Sequence, residues 1–141
     1  MQLGGRAKRG YSSAMPEPTF RTVPILRIFD LDKARDFYVG FLGLKVDWEH
    51  RFEPGLPLYM QVSRGDLVLH LSEHHGDACP GSTVVVETTG LEDYHREIMA
   101  NGYKFMRPGI DIAPWNAKVM VVTDPFGNRL RFNEDLPGKV G

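Results

Sequence analysis

Alternation of apolar and polar residues predicts two β-hairpins, one in the middle of the chain and one near its end. The later hairpin covers residues 114–132, and its turn at residues 124–128 contains a proline, a glycine and an asparagine. Proline presets φ for a turn, whereas glycine and asparagine tolerate positive φ. The earlier hairpin covers residues 57–71, with a turn at residues 63–66. Each hairpin presents one apolar face and therefore needs a second layer packed against it.

Apolar residues spaced three and four positions apart predict a helix before each hairpin. The predicted apolar faces are Ala34, Phe37, Tyr38, Phe41 and Leu42 in the first helix, and Leu91, Tyr94, Ile98 and Met99 in the second. Asp30 is placed to cap the first helix, and Thr89 and Glu92 have the spacing of a capping box for the second. Gly43 and Gly102 are expected to end the two helices.

Short strands are predicted at residues 23–29, 45–50, 82–87 and 103–106, with loops at residues 53–57, 74–81 and 107–114. The same order of elements then occurs twice, and landmarks recur about 60 residues later: Leu31 and Leu91, Gly43 and Gly102, Met60 and Met120, Leu69 and Leu130. This repeat predicts two β-α-β-β-β modules, at about residues 21–76 and 81–135. Each module is too small to bury its own apolar face, so we expect a single α+β domain at residues 21–135. Residues 1–20 are predicted to form a flexible arm and residues 136–141 a tail.

Alternation also divides the strand residues between the two faces of a curved, mixed sheet. The residues expected beneath the helices, on the convex side, are Leu67, Leu69, Leu71, Leu130 and Phe132. Those expected on the concave side are Tyr59, Gln61, His70, Val119, Val121, Arg131, Val23 and Thr83. Trp48 would share a face with Val46 and His50. A cavity on the concave side would be lined by aromatic and polar groups with few charges, as ligand pockets are.

The net charge, the lack of long apolar runs and the cysteine content argue against several classes of binding partner and site. The formal net charge of −1 argues against binding to nucleic acid or to an anionic membrane surface. No apolar run approaches the roughly 20 residues of a membrane-spanning helix. The single cysteine, Cys79, excludes an intramolecular disulfide and a multi-cysteine metal site, and a cytoplasmic protein is the default interpretation. Residues 1–15 lack the apolar core of a secretory signal, and a transit-like peptide, a disordered arm and a start at Met15 remain open.

Short segments spread along the chain carry the pattern of a known family. They are Val23-Pro24-Ile25-Leu26, Asp30, Phe37-Tyr38, Phe41-Leu42-Gly43-Leu44, Pro114-Trp115 and Thr123-Asp124-Pro125-Phe126-Gly127-Asn128. Together they resemble the vicinal-oxygen-chelate superfamily, which contains glyoxalase I, fosfomycin-modifying enzymes, ring-cleaving dioxygenases and bleomycin-resistance proteins. The resemblance covers roughly residues 21–135 and is strongest to the bleomycin-resistance branch. The turn at residues 124–128 is shared across the superfamily, whereas the Pro-Trp pair is more particular to the antibiotic-binding branch.

Enzymes of this superfamily hold a metal with one ligand from the first strand and one from the last strand of each module. The resemblance places these positions at Val23, His70, Thr83 and Arg131. Only His70 is a good metal ligand, and the permanent charge of Arg131 would repel a divalent cation. We therefore expect no metal site of this type and no cofactor. The segment Glu73-His74-His75 with His70 is a weaker metal candidate, and Cys79 and His95 are interpreted as an ordinary thiol and a surface residue.

The resemblance implies a non-catalytic binding protein for a bleomycin-type antibiotic. The implied ligand-binding residues are Trp115 and Trp48, which would stack on the planar rings of the drug, and Tyr59, Gln61, His70 and Arg131, which would provide polar contacts. A cationic drug would also require a negative rim, for which the candidates are Glu49, Glu53, Asp77 and Glu87. The resemblance further implies a homodimer with its cavity between two chains and an exchanged arm at residues 19–23. The alternatives are a metal-dependent glyoxalase-like lyase or isomerase that uses His70, and a metabolite-binding dimer.

Overall fold

The computed structural model describes residues 16–138, so residues 1–15 of the predicted arm and residues 139–141 of the predicted tail lie outside it. The first module contains β1 (Ile25–Arg27), α1 (Leu31–Arg35), a π-helix (Asp36–Phe41), β2 (Lys45–Arg51), β3 (Leu58–Arg64) and β4 (Leu67–Ser72). The second contains β5 (Thr83–Glu87), α2 (Leu91–Met99), β6 (Asp111–Ala113), β7 (Ala117–Thr123) and β8 (Arg129–Asp135). No helix in the described part of the chain is long and apolar enough to cross a membrane.

Each module builds a four-stranded mixed sheet with the same connectivity. The strand orders are β1-β4-β3-β2 and β5-β8-β7-β6, and in each sheet the first strand of the module pairs parallel to its last strand. The other neighbouring strands are antiparallel. The predicted two-module α+β fold is therefore confirmed, with two sheets that do not close into a barrel.

One hydrophobic core joins the two modules. The predicted inward residues Leu69, Leu71, Leu130 and Phe132 are buried, and Leu67 is half-buried. Opposite them, all five predicted apolar residues of the first helical segment are buried as well. Across the modules, the Tyr103 ring stacks on the Phe41 ring with centroids 4.7 Å apart. Neither module covers its apolar face alone, which is why both depend on this shared interior.

The turn at residues 124–128 anchors the second module to the first. The Asp124 carboxylate accepts two backbone N–H groups of its own turn, at 2.8 and 2.9 Å. Its other oxygen accepts the Tyr38 hydroxyl proton at 2.7 Å, and the Asn128 amide donates to the Arg27 carbonyl oxygen at 2.7 Å. Burial, with the nearby Asp124 carboxylate, holds the pKa of Tyr38 well above its ordinary value. The Asp-Pro-x-Gly-Asn turn therefore joins the two modules as well as reversing the chain.

Two strand predictions were wrong. The first strand is shorter than predicted and spans Ile25–Arg27. Residues 103–106 do not form a strand, and β6 lies instead inside the predicted loop at residues 107–114. Tyr103 packs on the helix layer, whereas Phe105, two residues later, is 83% exposed, so the two do not share a face as they would in a strand. The apolar character of Tyr103 therefore reflects contact with a helix and not with a neighbouring strand.

The two helices begin in different ways. Asp30 caps α1 as predicted, because its carboxylate accepts the Lys33 N–H at 2.9 Å. The capping box of Thr89 and Glu92 is wrong, since the N-cap of α2 is Gly90 and no side chain of the cap residue makes a hydrogen bond. Glu134 on β8 replaces it: its two carboxylate oxygens accept the backbone N–H groups of Gly90 and Leu91, at 3.0 and 3.1 Å. His95 also differs from prediction, because it is half-buried and donates to the Pro108 carbonyl oxygen at 2.8 Å.

Candidate functional site

Four of the predicted site residues lie on the open face of the first sheet, by which we mean the face turned away from the helices. Gln61 on β3 is paired with His70 on β4, and Tyr59 lies two residues before Gln61 on the same face. Trp48 on β2 is paired with Gln61 from the other side. The three strands therefore bring Trp48, Tyr59, Gln61 and His70 together.

Three of these side chains form an aromatic cluster, consisting of Trp48, Tyr59 and His70. The Trp48 and Tyr59 rings are nearly parallel, with centroids 5.9 Å apart and planes 9° apart. The His70 ring meets Trp48 edge-on at 5.3 Å and Tyr59 edge-on at 5.1 Å. Trp48 remains 42% exposed, so it can still accept another flat ring. A stacked aromatic pair contributes about 0.5–1.5 kcal/mol beyond the area that it buries.

A β-bulge decides which way Trp48 points. Val46 pairs with Val62 and Trp48 pairs with Gln61, so Asp47 is the extra residue on β2. Val46 therefore packs against the core, and the prediction that it shares a face with Trp48 is wrong. The bulge also lets the Asp47 carboxylate meet Gln61 beside the aromatic cluster.

A chain of hydrogen bonds fixes the protonation of His70. The Tyr59 hydroxyl lies 2.7 Å from His70 Nδ1, and Gln61 Oε1 lies 3.0 Å from His70 Nε2. Gln61 Nε2 donates to Asp47 Oδ2 at 3.0 Å, which sets the orientation of the amide. Because an amide oxygen only accepts, His70 Nε2 carries the proton and Nδ1 accepts from Tyr59. Both ring nitrogens are thus occupied in the neutral form.

The electrostatics around the cluster agree with this assignment. Burial, and then the positive charge of Arg21, lower the pKa of His70. Burial, and then the negative charge of Asp77, raise the pKa of Tyr59. Hydrogen bonds from Ser63 and then Gln61 lower the pKa of Asp47. At neutral pH the aromatic cluster is uncharged, and the Asp47 carboxylate lies at its edge.

A cleft of about 550 Å³ adjoins the cluster through Asp47 and Gln61. Arg21, Thr22 and Val68 line its other walls. A larger cavity, of about 740 Å³, lies away from the aromatic cluster, between β4 and β5. The smaller cleft falls within the size range of ligand pockets, about 300–1,000 Å³, and contacts Gln61 beside the aromatic cluster.

Trp115 lies in the turn between β6 and β7, on the second module. Its indole Nε1–H donates to Asn133 Oδ1 at 3.1 Å, and Asn133 Nδ2 donates to Asp135 Oδ1 at 3.1 Å. Asn133 is buried, whereas Trp115 is 48% exposed. Sequence reasoning missed Asn133, although alternation places it on the same face of β8 as Arg131. The buried amide holds the exposed ring in a defined position.

Arg131 occupies the open face of the second sheet, as predicted. It lies between Val85 on β5 and Val121 on β7. No ring contact or hydrogen bond within residues 16–138 connects Trp115 or Arg131 with the aromatic cluster. The six predicted site residues therefore form two separate groups, four on the first sheet and two on the second.

Comparisons with known proteins identify the family. A family model described as "Glyoxalase superfamily protein" matches residues 12–139 of the chain. The protein belongs to the glyoxalase superfamily. This membership confirms the resemblance inferred from the sequence segments. No match was found among curated protein sequences.

Solved structures of bleomycin-binding, bleomycin-resistance and antibiotic-binding proteins share the fold. A bleomycin-binding protein in complex with bleomycin has 24% identity and a TM-score of 0.63, over 84% of this chain and 100% of that one. A bleomycin resistance determinant encoded on transposon Tn5 has 23% identity and a TM-score of 0.64, over 83% and 98%. TnmS3, an antibiotic-binding protein from Streptomyces sp. CB03234, has 21% identity and a TM-score of 0.61, over 85% and 100%.

The metal site of the superfamily's enzymes does not fit the residues present. In the strand register Ile25 pairs with His70 and Val85 pairs with Arg131, and the predicted positions Val23 and Thr83 lie two residues earlier. Isoleucine, valine and arginine are not metal ligands, and both His70 nitrogens already have hydrogen-bond partners. The described residues contain no group of three or more His, Cys, Asp or Glu that could hold a metal.

The sequence also offers acidic residues as candidates for a negative rim or a metal site, and Cys79 as a thiol. Glu49 lies opposite the buried Met60 and pairs with Arg35 on α1, so its prediction as part of a rim on the open face is wrong. Asp77 accepts a hydrogen bond from Ser72 at 2.6 Å. Glu73 accepts the Leu58 backbone N–H at 2.9 Å, which connects it to β3. Cys79 is an exposed free thiol.

Proposed function

We propose that the protein is a non-catalytic binding protein that sequesters a planar, bleomycin-type antibiotic. The observation that carries this proposal is the aromatic cluster on the open face of the first sheet. Trp48 stacks against Tyr59 on one side and is exposed on the other, where it can take a planar ring of the drug. Trp115 supplies a second exposed ring.

The hydrogen bonds of His70 support binding without catalysis. A general base needs a free lone pair within reach of the substrate proton. In His70 the lone pair of Nδ1 accepts from Tyr59, and Nε2–H donates to Gln61. Gln61 and His70 therefore act as polar walls of the site. The proposal also places the protein in the cytoplasm, which suits the exposed free thiol of Cys79.

A second copy of the chain completes the site in this proposal. The ring of Trp115 and the guanidinium of Arg131 belong to a different sheet from the aromatic cluster, so a homodimer would place one group opposite the other. The described part of the predicted arm supports this assembly, because Phe20 is 90% exposed. A large side chain that is exposed in one chain can pack against a partner. Residues 19–23 would then form the exchanged segment.

A fluorescence titration with bleomycin tests the proposal. The chain contains two tryptophans, and both belong to the candidate site, so intrinsic fluorescence reports on ligand binding there. We expect saturable quenching below about tens of micromolar drug, since a 1 μM complex corresponds to about −8.2 kcal/mol. A wild-type protein whose fluorescence does not change at these concentrations would refute antibiotic binding.

Metal analysis tests the competing function, a metal-dependent glyoxalase-like lyase or isomerase. Protein purified without chelator should contain well under one equivalent of zinc, nickel, iron or manganese. Treatment with EDTA should leave Tm unchanged, because a ligand that binds the native state raises Tm and its removal lowers it. A stoichiometric metal coordinated by His70 would instead support the enzyme.

A further inference from the structure

The open face of the second sheet carries a cation between two exposed apolar residues. In the strand register, Val85 on β5 and Val121 on β7 both pair with Arg131 on β8. Val85 is 55% exposed and Val121 is 38% exposed. Adjacent strands lie about 4.8 Å apart, so the three side chains form one short row. Such a row offers apolar contact on both sides of a guanidinium.

The Arg131 guanidinium has no carboxylate partner within residues 16–138. On the same face, Arg129 donates from Nε to Thr83 Oγ1 at 3.0 Å, which leaves its charge uncompensated as well. The arginines on or near the helices are different, because Arg35, Arg64 and Arg96 pair with Glu49, Glu97 and Asp93. Within residues 16–138, Arg129 and Arg131 on the open face of β8 are therefore arginines without an ion-pair partner.

The carboxylates that share this face lie to one side of the row. Glu87 pairs with Asn133, and Asp111 pairs with Val119, so both lie in the next row along the sheet. Asp135 accepts a hydrogen bond from Asn133. The row that contains Arg131 holds no acid from either neighbouring strand.

An aromatic ring is anchored on the same strand as this cation. Asn133 lies two residues after Arg131 on the same face of β8, about 7 Å along the strand. It accepts the indole N–H of Trp115, so the half-exposed ring is anchored at a residue two positions along β8 from Arg131. A planar molecule stacked on Trp115 can therefore extend along β8 towards the guanidinium.

We propose that the ligand of this protein carries an anionic group that Arg131 binds, attached to a planar ring that stacks on Trp115. The ligand class is an aromatic carboxylate, sulfonate or phosphate, since a guanidinium binds these groups with two parallel hydrogen bonds. This inference rests on the proposed binding function, keeps its planar ring system, and assigns the ligand an acidic group in place of the cationic character of bleomycin. Arg129 lies one row away and adds to the positive potential.

Two fluorescent probes with the same rings test the role of the acidic group. Anilinonaphthalene sulfonate carries a sulfonate, whereas N-phenylnaphthylamine has the same ring system without it. The wild type should bind the sulfonate more tightly than the neutral probe. Arg131→Gln should reduce that preference by about tenfold or more, and Arg131→Lys should restore part of it, because lysine keeps the charge and loses the planar fork.

Arg107→Gln is the matched control, because Arg107 is an exposed loop residue and the substitution removes the same charge. It should leave the preference for the sulfonate unchanged. An equal loss in both arginine variants would show that only net charge matters, and an equal loss of both probes in Arg131→Gln would show that Arg131 only supports the fold. Either result would overturn the proposal.

The remaining outcomes separate this inference from the proposed function. If Trp115→Ala weakens binding of the neutral probe but the wild type shows no preference for the sulfonate, the binding function stands and the anionic ligand is refuted. If neither probe binds the wild type while bleomycin still quenches its fluorescence, the binding function stands and the anionic ligand is refuted. If Arg131→Gln converts a dimer into a monomer in light scattering, Arg131 pairs with a carboxylate of a second copy and the inference is wrong.

Discussion

His70 illustrates how neighbouring side chains determine the chemistry of one residue. Its neutral form is stabilised because Nδ1 accepts from Tyr59 and Nε2 donates to Gln61. Burial and Arg21 lower its pKa from the ordinary value of 6.5. The unfolded chain therefore binds a proton at a higher pH than the folded one. The resulting stability is present above pH 6.5 and is lost as the pH falls through 6.5 towards the lower, folded-state pKa.

NMR titration of the His70 imidazole checks this first prediction. Arg21→Gln should raise the pKa of His70, because it removes a positive charge that disfavours the imidazolium. Tyr59→Phe should also raise it, because it removes a hydrogen bond donated to the neutral ring. Lys104→Gln, which removes a charge from an exposed loop, is the control. A pKa of His70 that stays the same in both site variants would contradict the hydrogen-bond assignment.

The second prediction concerns Trp115. Trp115→Ala should weaken binding of a bithiazole-containing antibiotic by about tenfold, since a stacked ring contributes about 0.5–1.5 kcal/mol beyond its buried area and 1.4 kcal/mol is about tenfold. Folding should be affected less than in Leu69→Ala, which would cost about 2–5 kcal/mol because Leu69 is fully buried. Fluorescence titrations and denaturant melts measure the two effects. Equal affinity of wild type and variant would remove Trp115 from the site.

Where the strands are regular, apolar–polar alternation correctly predicted which face of the sheet each side chain occupies. It placed Tyr59, Gln61, His70 and Arg131 on the open faces because side chains on a strand point to opposite sides in turn. It failed at Val46 because the β-bulge at Asp47 adds one residue to β2, so Val46 and Trp48 face opposite sides of the sheet. It also could not reveal the Trp115–Asn133 hydrogen bond, which joins a turn residue to β8 and depends on how β7 and β8 pair.

At the scale of elements, the start of α2 depends on a distant strand. Gly90 caps the helix without a side chain, and the Glu134 carboxylate from β8 accepts two of its free N–H groups. A carboxylate at this end is also favoured by the helix dipole. The helix and the second sheet are thereby connected through one side chain.

The third prediction follows from this contact. Glu134→Ala should lower the free energy of unfolding by about 0.5–2 kcal/mol, which is the usual effect of losing an N-cap side chain. Thr89→Ala is the matched control and should have little effect, because the cap residue of α2 is Gly90 and not Thr89. Urea melts of the two variants provide the comparison. A larger loss for Thr89→Ala would restore the capping box that the sequence indicated.

The helices and hairpins were predictable because their signals are local. Three- and four-residue spacing marked both helices, and the turn at residues 124–128 marked the second hairpin. Residues 103–106 and β6 were not predictable, because the sequence does not show that Tyr103 packs on Phe41 of the helical layer and not in a sheet. The predicted cap of α2 was wrong because the carboxylate that accepts its N–H groups belongs to Glu134, far along the chain.

At the scale of the whole molecule, the two modules share a core but divide the candidate site. The internal repeat made the two-module architecture predictable, since both modules have the same strand order. The register of the parallel pairs was not predictable from alternation, and it pairs Ile25 with His70 and Val85 with Arg131. How the two groups of site residues lie relative to each other in the proposed dimer depends on how two chains assemble. Apolar–polar alternation within one chain carries no information about that assembly.

The fourth prediction concerns this assembly. Size exclusion with light scattering should give a mass twice the 15.9 kDa of the chain. Phe20→Ser should weaken the dimer, because Phe20 belongs to the arm and is 90% exposed in the single chain. Phe105→Ser is the control, since Phe105 is 83% exposed outside the arm. A monomer at micromolar concentration would count against a site shared between two copies.

The indole N–H resonances of Trp48 and Trp115 test the central claim most directly. The chain contains only these two tryptophans, so a ¹⁵N-labelled protein gives two indole signals that Trp48→Phe and Trp115→Phe assign. Both rings are about half exposed, at 42% and 48%, and a stacked ring changes the magnetic environment of the indole. Bleomycin titrated into the protein should shift both signals with one common Kd. If both signals stay in place while bleomycin binds, or if no bound state forms at all, these rings do not constitute the binding site.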